Sequence, residues 1–173
     1  MRAKQLFTIG YEGAELSDFL ATLIASGITQ ILDVRDVPLS RKRGFSKNSL
    51  SNALSAEGIV YHHLKGLGDP KPGRDAARRG EYALFNKIYK KHLQTECAQS
   101  ALDIALHKAG QRISCLLCFE RAHEHCHRSI VAAALIERSG FDVKHIGVRK
   151  GISTYRGGRY GAIIESGVAF GGG

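Results

Sequence analysis

The chain has 173 residues, of which 43% are hydrophobic and 24% charged, and its formal net charge is +9. This length is enough for one domain with a hydrophobic core, and the composition is ordinary for a soluble globular protein. No run approaches the roughly eighteen apolar residues of a membrane span, and the N-terminus lacks the apolar region of a signal peptide, so we expect a cytoplasmic protein with no membrane partner and with reduced cysteines.

The positive charge is unevenly distributed, in three clusters of Lys and Arg within residues 41–47, 71–79 and 144–159. A single cluster of this kind is usual on a solvated surface. Three together favour an anionic partner, either a phosphate-bearing ligand or a nucleic acid. The sequence leaves the oligomeric state open.

The first half of the chain alternates strands with amphipathic helices. LFTI predicts the first strand, and apolar residues at helical spacing predict a helix from Leu16 that stops at Gly27. ITQILDV predicts the second strand. Ser46 is placed to cap a helix that ends at Gly58, before IVYHH as the third strand.

The second half continues the alternation after one interruption. KGLGDPKPGRDAARRG, residues 65–80, is long enough to be a functional loop or lid, with a disordered surface excursion as the alternative. Residues 81–109 predict one long helix or two, followed by the strand RISCLLCF. HRSIVAAALIERS predicts the last helix, which ends at Gly140 before the strand FDVKHI, and a Gly-rich tail begins at about residue 147.

Alternating strands and helices of these lengths predict a parallel sheet, because right-handed crossovers place helices on its faces. The runs ILDV and ISCLLCF are continuously apolar, as expected of strands that are covered on both sides. We therefore predict an α/β fold, a three-layer α/β/α Rossmann-like sandwich with a mostly parallel sheet of about five strands. No linker or repeat divides residues 1–173, so we expect a single α/β domain.

Ligands of an open parallel sheet bind beyond the C-terminal ends of its strands. Polar side chains follow all five predicted strands. They are Tyr11 and Glu12, Asp33 and Arg35, His62 and His63, Cys118 and Glu120, and His145. We expect the functional site at this edge of the sheet. GYEG after the first strand is not a GxGxxG fingerprint, so no dinucleotide cofactor is expected.

The stretch CLLCFERAHEHCHRS, residues 115–129, contains three of the four cysteines. Cys115 and Cys118 have the spacing of a redox or zinc pair, but both lie in a predicted strand. Residues i and i+3 of a strand point to opposite faces and sit roughly 10 Å apart. We therefore expect Cys115 to be a core residue and not a partner of Cys118.

Cys118 and Cys126 are expected to meet, since one ends a strand and the other opens a helix. A thiol at a helix N-terminus has a lowered pKa and can act as a nucleophile. Alternatively, the same place holds an anion through backbone N–H groups and Arg128. A phosphatase-type Cys-x5-Arg loop is disfavoured, because Ala132 and Glu124 occupy the positions that would need arginine.

The cluster of cysteines and histidines raises the question of a metal. Cys118, Cys126 and the neighbouring histidines could supply four ligands, but their spacing matches no standard zinc finger or knuckle. We expect no metal and no cofactor. Glu120, two residues beyond Cys118, is a candidate for a general base, for a hydrogen bond to a ligand hydroxyl, or for an ion pair with Arg35 or Arg128.

Four blocks, in this order along the chain, resemble one known family. They are TIGYEG, LDVRDVPLSRKRGFSK, IVYHHLKGLGDP and LLCFERAHEHCHRSIVA. The last block is the most distinctive, and together they resemble the bacterial "domain of unknown function 488" family over Thr8 to about Ile146. The characteristic positions of the family fall on Gly10, Tyr11, Asp33, Arg35, Pro38, Ser40, Phe45, Leu67, Gly68, Arg74, Cys118, Glu120, Cys126, His127 and Arg128.

The resemblance implies a compact Rossmann-like α/β domain and no particular reaction. Similar proteins often carry a further glycine after Leu67 and Gly68, where this chain has Asp69.

Our first functional hypothesis is an enzyme that acts on a phosphate-bearing small molecule or nucleic-acid end. Its predicted catalytic residues are Cys118, Glu120 and Cys126. Its predicted substrate- or anion-binding residues are Tyr11, Asp33, Arg35, Ser40, Arg41, Arg74, His127 and Arg128. The alternatives are a non-catalytic nucleic-acid-binding protein and a metal or redox sensor built from the cysteines and histidines.

Overall fold

A computed structural model describes residues 4–154, which form five strands and six α-helices. The strands are β1 (Gln5–Gly10), β2 (Gln30–Asp33), β3 (Val60–His63), β4 (Ser114–Cys118) and β5 (Asp142–Gly147). The helices are α1 (Leu16–Ala25), α2 (Lys47–Ala56), α3 (Lys71–Arg78), α4 (Tyr82–Leu93), α5 (Glu96–Gln111) and α6 (His127–Ser139).

The strands form one sheet in the order β3-β2-β4-β1-β5, and every pair in it is parallel. Apolar side chains of α1 and α2 pack with one face of this sheet, and those of α3 to α6 pack with the other. The structure therefore confirms the predicted three-layer α/β/α fold with about five strands.

Strand β4 lies in the middle of the sheet, and all five of its residues are buried. Cys115 and Leu117 belong to the core beneath α1 and α2, whereas Leu116 and Cys118 belong to the core beneath α3 to α6. The alternation of a strand thus separates Cys115 from Cys118, as the sequence predicted.

The order of the strands creates a crevice at the end of β4. The chain leaves β1 and β2 toward the helices on one face, and it leaves β4 toward α6 on the other face. Because β4 lies between β1 and β2, its C-terminal end is a topological switch point, where open α/β sheets bind their ligands.

Residues 65–80 are not the loop or surface excursion that the sequence predicted. A short 3-10 turn, Lys65–Leu67, is followed by helix α3. Pro72 stands in the first turn of α3, where the absence of an N–H costs nothing, and Ala76 is buried in the core. The two prolines thus mark the start of a helix and not a break in the fold.

Three smaller features complete the fold. Residues 81–109 hold two helices: α4 ends at Leu93 with Gln94 as its C-cap, and Thr95 caps α5 through its side chain, which accepts a hydrogen bond from the Ala98 N–H. Asp18 of α1 accepts hydrogen bonds from the backbone of Gly151 and Ser153. The rest of the Gly-rich tail lies outside the described residues, and in residues 4–154 no helix has both the length and the apolar character to cross a bilayer.

Candidate functional site at the end of strand β4

Four side chains with reactive or metal-binding atoms converge where β4 ends: Cys118, Glu120, Cys126 and His127, here called the Cys–Glu–His cluster. The thiol groups of Cys118 and Cys126 donate to Glu120 Oε2 over 3.1 and 3.3 Å. Their Sγ atoms lie 3.7 and 3.9 Å from His127 Nδ1. The structure therefore brings together the three residues predicted as catalytic, with His127 as a fourth member.

Two local features position this cluster. Cys126 is the N-cap of α6 in extended conformation, so it turns back toward the strand that Cys118 ends. Gly10 of β1 lets the carbonyl of Glu120 approach closely, since a Cβ at Gly10 would lie 1.7 Å from that oxygen. Arg128 then donates to the carbonyl oxygens of Glu120 and Arg121 and fixes the connection after β4.

The ring of His127 is oriented by the backbone of the neighbouring strand. Its Nε2 lies 2.7 Å from the carbonyl oxygen of Val34, and only a protonated nitrogen can donate to that oxygen. The other nitrogen, Nδ1, therefore faces the two sulfur atoms. In neutral imidazole this Nδ1 carries the free lone pair.

The pKa shifts of both cysteines run opposite to the lowering that one of the two sequence-based alternatives, an activated thiol, requires. A hydrogen bond with Cys126 lowers the pKa of Cys118, but burial and the nearby Glu120 carboxylate raise it above its usual value. Burial raises the pKa of Cys126 far more. The helix start does not compensate, because both sulfur atoms are shielded from water and face a carboxylate.

The proton-binding groups around the thiols are shifted as well. Burial acts to raise the pKa of Glu120, but the hydrogen bond from Cys118 and other contacts hold it below its usual value. Burial lowers the pKa of His127, but the Cys126 sulfur and the Val34 carbonyl raise it, to about 9 in total. The two thiols and the imidazole therefore hold their protons more strongly than usual, whereas the Glu120 carboxyl group gives up its proton more easily.

A cavity of about 300 Å³ opens beside this cluster, between the connection after β4 and helices α3 and α4. Glu120, Cys126 and His127 form one part of its wall. The rest of the wall is mostly aromatic and charged. It consists of Asp69, Arg74, Ala77, Arg78, Tyr82, Phe85, Phe119 and His125. Its volume is at the lower end of the range for small-molecule sites.

Asp69 is the most unusual group in this wall. Its side chain is buried, and Oδ1 has no hydrogen-bond partner among the described residues. Burial raises the pKa of Asp69 to about 6, although the charges of His127 and Arg74 act against the shift. Oδ1 itself is shielded and lies against Gly73 of α3, so the feature that distinguishes Asp69 in the wall is the raised pKa of its carboxyl group.

Three predicted site residues meet elsewhere, in a buried network beneath α1 and α2. Arg35 forms a 2.6 Å ion pair with Asp33 and also donates to the hydroxyl of Tyr11. Its remaining bond goes to the carbonyl of Phe45, and the hydroxyl of Tyr61 donates to Asp33. None of these residues lines the cavity.

The other predicted anion-binding residues are in three different situations. Arg128 is buried and donates to Thr8 and to two backbone carbonyls. Ser40 and Arg41 lie in the connection between β2 and α2 and do not line the cavity. Arg74 does line it, and its guanidinium is held by Asp36 at 2.6 Å and by the carbonyl of Asp69.

Seven residues of the cavity wall are absent from the predicted site, among them Asp69, Arg78, Tyr82 and Phe119. The available signal was that Asp69, within the block IVYHHLKGLGDP, stands where similar proteins often carry a further glycine. Arg78 was counted only within a basic cluster. Nothing in the sequence alone distinguishes the exposed rings of Tyr82 and Phe119 from ordinary surface aromatics.

The fold and the site define an α/β protein with a ligand-sized cavity at the switch point of its sheet. The family model of Domain of unknown function DUF488 matches residues 15–135. The chain belongs to this family, which confirms the resemblance seen in the sequence. Searches of curated proteins and of solved structures found no match.

Proposed function

We propose that the protein is an enzyme that binds a phosphate-bearing small molecule in the cavity beside β4 and acts on it with acid–base groups of the cavity wall. The observation that carries this proposal is that two carboxyl groups, those of Asp69 and Glu120, share the wall of one cavity with the guanidinium groups of Arg74 and Arg78.

The phosphate group would be held at the α3 side of the cavity. Arg78 is 75% exposed, and the one ion pair that it forms within residues 4–154, with Asp75, is long at 3.5 Å. Such a guanidinium can turn to a ligand at little cost, because an exposed pair of this kind is worth less than about 1 kcal/mol. Arg74, more firmly held by Asp36, adds positive charge to the same wall.

The rest of the substrate would lie against the aromatic part of the wall. Tyr82 stacks on His125 with a ring separation of 3.9 Å, and Phe119 is 44% exposed. Rings that are partly exposed at a cavity mouth favour a planar or otherwise apolar substrate body. A small phosphorylated compound with a ring is therefore the expected substrate class.

Asp69 is the expected proton donor or acceptor of the reaction. A carboxyl group with a pKa near 6 is partly protonated close to neutral pH, as a general acid–base group requires. Glu120 lies in the same wall and would contact the other side of the substrate.

The test begins with binding. Inorganic phosphate, sugar phosphates and nucleoside mono- and diphosphates are screened by thermal shift against their dephosphorylated counterparts, and the stabilising compounds are incubated with the protein and analysed for products by mass spectrometry. We expect Arg78→Ala to weaken binding about tenfold. The matched control is Arg79→Ala, since the neighbouring Arg79 pairs with Glu81 and does not line the cavity. Asp69→Asn should retain binding and lose turnover.

Two results would overturn the proposal. One is that no phosphorylated compound stabilises the protein more than its dephosphorylated counterpart. The other is an equal loss of binding in Arg78→Ala and Arg79→Ala. The alternative of a non-catalytic nucleic-acid-binding protein stays a prediction, and oligonucleotides in the same screen address it, because such binding should weaken steeply with salt.

A further inference from the structure

We infer that the Cys–Glu–His cluster is a zinc site, with Cys118 Sγ, Cys126 Sγ and His127 Nδ1 as three ligands and the Glu120 carboxylate as the fourth. The spacing of these residues matches no standard zinc motif, and the sequence analysis predicted no metal. The folded chain nevertheless places the three ligand atoms of the cysteines and the histidine within 4.8 Å of one another, and all three residues are buried.

The distances agree with tetrahedral coordination. With Zn–S bonds of about 2.3 Å and Zn–N or Zn–O bonds of about 2.0–2.2 Å, neighbouring ligand atoms lie roughly 3.5–3.8 Å apart. The two sulfur-to-Nδ1 distances are 3.7 and 3.9 Å. The two sulfur-to-Oε2 distances, 3.1 and 3.3 Å, are shorter by a few tenths of an ångström, as expected while thiol hydrogens bridge these atoms.

The surroundings of His127 are those of a metal ligand. Metal-bound histidines almost always donate their second ring N–H to a carbonyl or carboxylate, which fixes the ring and its tautomer. The bond from Nε2 to the Val34 carbonyl is of this kind. Nδ1 is thereby left directed at both sulfur atoms.

The donor set selects the metal. Two thiolates, one imidazole and one carboxylate in a tetrahedral arrangement are typical of zinc, whereas magnesium and calcium prefer oxygen ligands only. The raised pKa values of the free thiols do not oppose this, because zinc binds the thiolate and displaces its proton.

The position of the site relates it to the cavity. Cys126, His127 and Glu120 line the cavity, and Glu120 is the cluster member that remains partly accessible. The other three ligands, Cys118, Cys126 and His127, are buried. Glu120 is therefore the ligand that water or substrate could replace. Zinc binding does not depend on the proposed substrate, so the two proposals can fail separately.

The experiment measures metal content in protein that is produced without a polyhistidine tag in zinc-containing medium. We expect about one zinc per chain by mass spectrometry of the metal. Cys118→Ser and Cys126→Ser should reduce bound zinc at least about tenfold, and Glu120→Gln should reduce it less. Cys97→Ser is the matched control, because Cys97 is exposed and free and lies on α5, and it should retain the full zinc content.

A second measurement keeps the test valid where a serine variant does not fold. Zinc is removed from the wild-type protein by a chelator and replaced with cobalt, whose absorption reports thiolate ligands and tetrahedral geometry. We expect an intense thiolate-to-cobalt charge-transfer band. Any of three results would overturn the inference. The wild-type protein could contain no zinc after growth with zinc, cobalt could bind without the charge-transfer band, or Cys97→Ser could lose as much zinc as Cys118→Ser.

Discussion

Replacing Gly10 by alanine should disrupt the connection after β4. The new Cβ would lie 1.7 Å from the carbonyl oxygen of Glu120, and real Cβ atoms essentially never approach closer than 3.0 Å. Both partners are backbone, so no side-chain rotation can relieve the contact. The carbonyl also accepts a hydrogen bond from Arg128, which the displacement would break.

The cost combines overpacking with a lost charge-assisted hydrogen bond, each worth about 1–3 kcal/mol, so we expect a loss of roughly 3–5 kcal/mol in the free energy of unfolding. For a chain of this size that corresponds to a melting temperature roughly 6–20 °C lower. Because the displacement moves Glu120, the proposed fourth zinc ligand, Gly10→Ala should also reduce bound zinc, by about as much as Glu120→Gln.

Gly147→Ala is the matched control for this change. Gly147 is paired with Gly10 across the sheet, and a Cβ built on it meets no atom within 4 Å among residues 4–154. Its effect on stability should stay within about 1 kcal/mol. Thermal unfolding followed by circular dichroism measures both variants, and equal melting temperatures would refute the steric reasoning.

Three further predictions concern the rest of the molecule. Arg35→Met should cost about 3–5 kcal/mol in urea unfolding, because it leaves the buried Asp33 carboxylate unpaired, and adding Asp33→Asn should recover part of the loss; a single variant as stable as the wild type would contradict this. Hydrogen bonds from Ser153 and Gly151 lower the pKa of Asp18, so its stabilising effect should be present above the unfolded value near 4 and disappear as the pH falls through the lower folded value. Asp18→Asn should therefore differ from the wild type in melting temperature at pH 6 and converge with it in acid, and a constant difference would be the contrary result. Iodoacetamide should modify Cys97 rapidly and Cys118 and Cys126 slowly in the native protein, as peptide mass spectrometry can show, and rapid labelling of all three would contradict their burial.

The fold was predictable because its signals are local and repeated. Strands such as ILDV are apolar throughout, glycines follow most helices, and short connections permit few topologies. The segment 65–80 was misjudged because two prolines and many charges resemble a loop when their partners are unknown. In the structure the apolar side of α3 is short, with Ala76 as its buried residue, and the segment is ordered by tertiary packing.

The position of the site in the fold was predictable from the sequence, but the protonation of its side chains was not. The meeting of Cys118 and Cys126 followed from the geometry of a strand, a connection and a helix. The protonation of their thiols did not, because the pKa depends on burial and on the orientation of Glu120, which sequence spacing does not determine. Likewise, nothing in the spacing of Cys118, Cys126 and His127 reveals a ring held by the carbonyl of Val34.

Arg35 and Arg128, two of the arginines that the sequence selected for anion binding, do a different task from Arg74 and Arg78, which line the cavity. Arg35 donates to the carbonyl of Phe45, and Arg128 donates to those of Glu120 and Arg121, so both hold irregular backbone after a strand in a fixed shape. A guanidinium is suited to this, because its planar fork can reach several acceptors at once without losing its charge. An arginine whose donors are already used in this way is poorly placed to bind a ligand. The proposed contact with an anion is therefore assigned to Arg78 and Arg74, which border the cavity, while Arg128 holds the connection that carries Glu120 beside the two cysteines and His127.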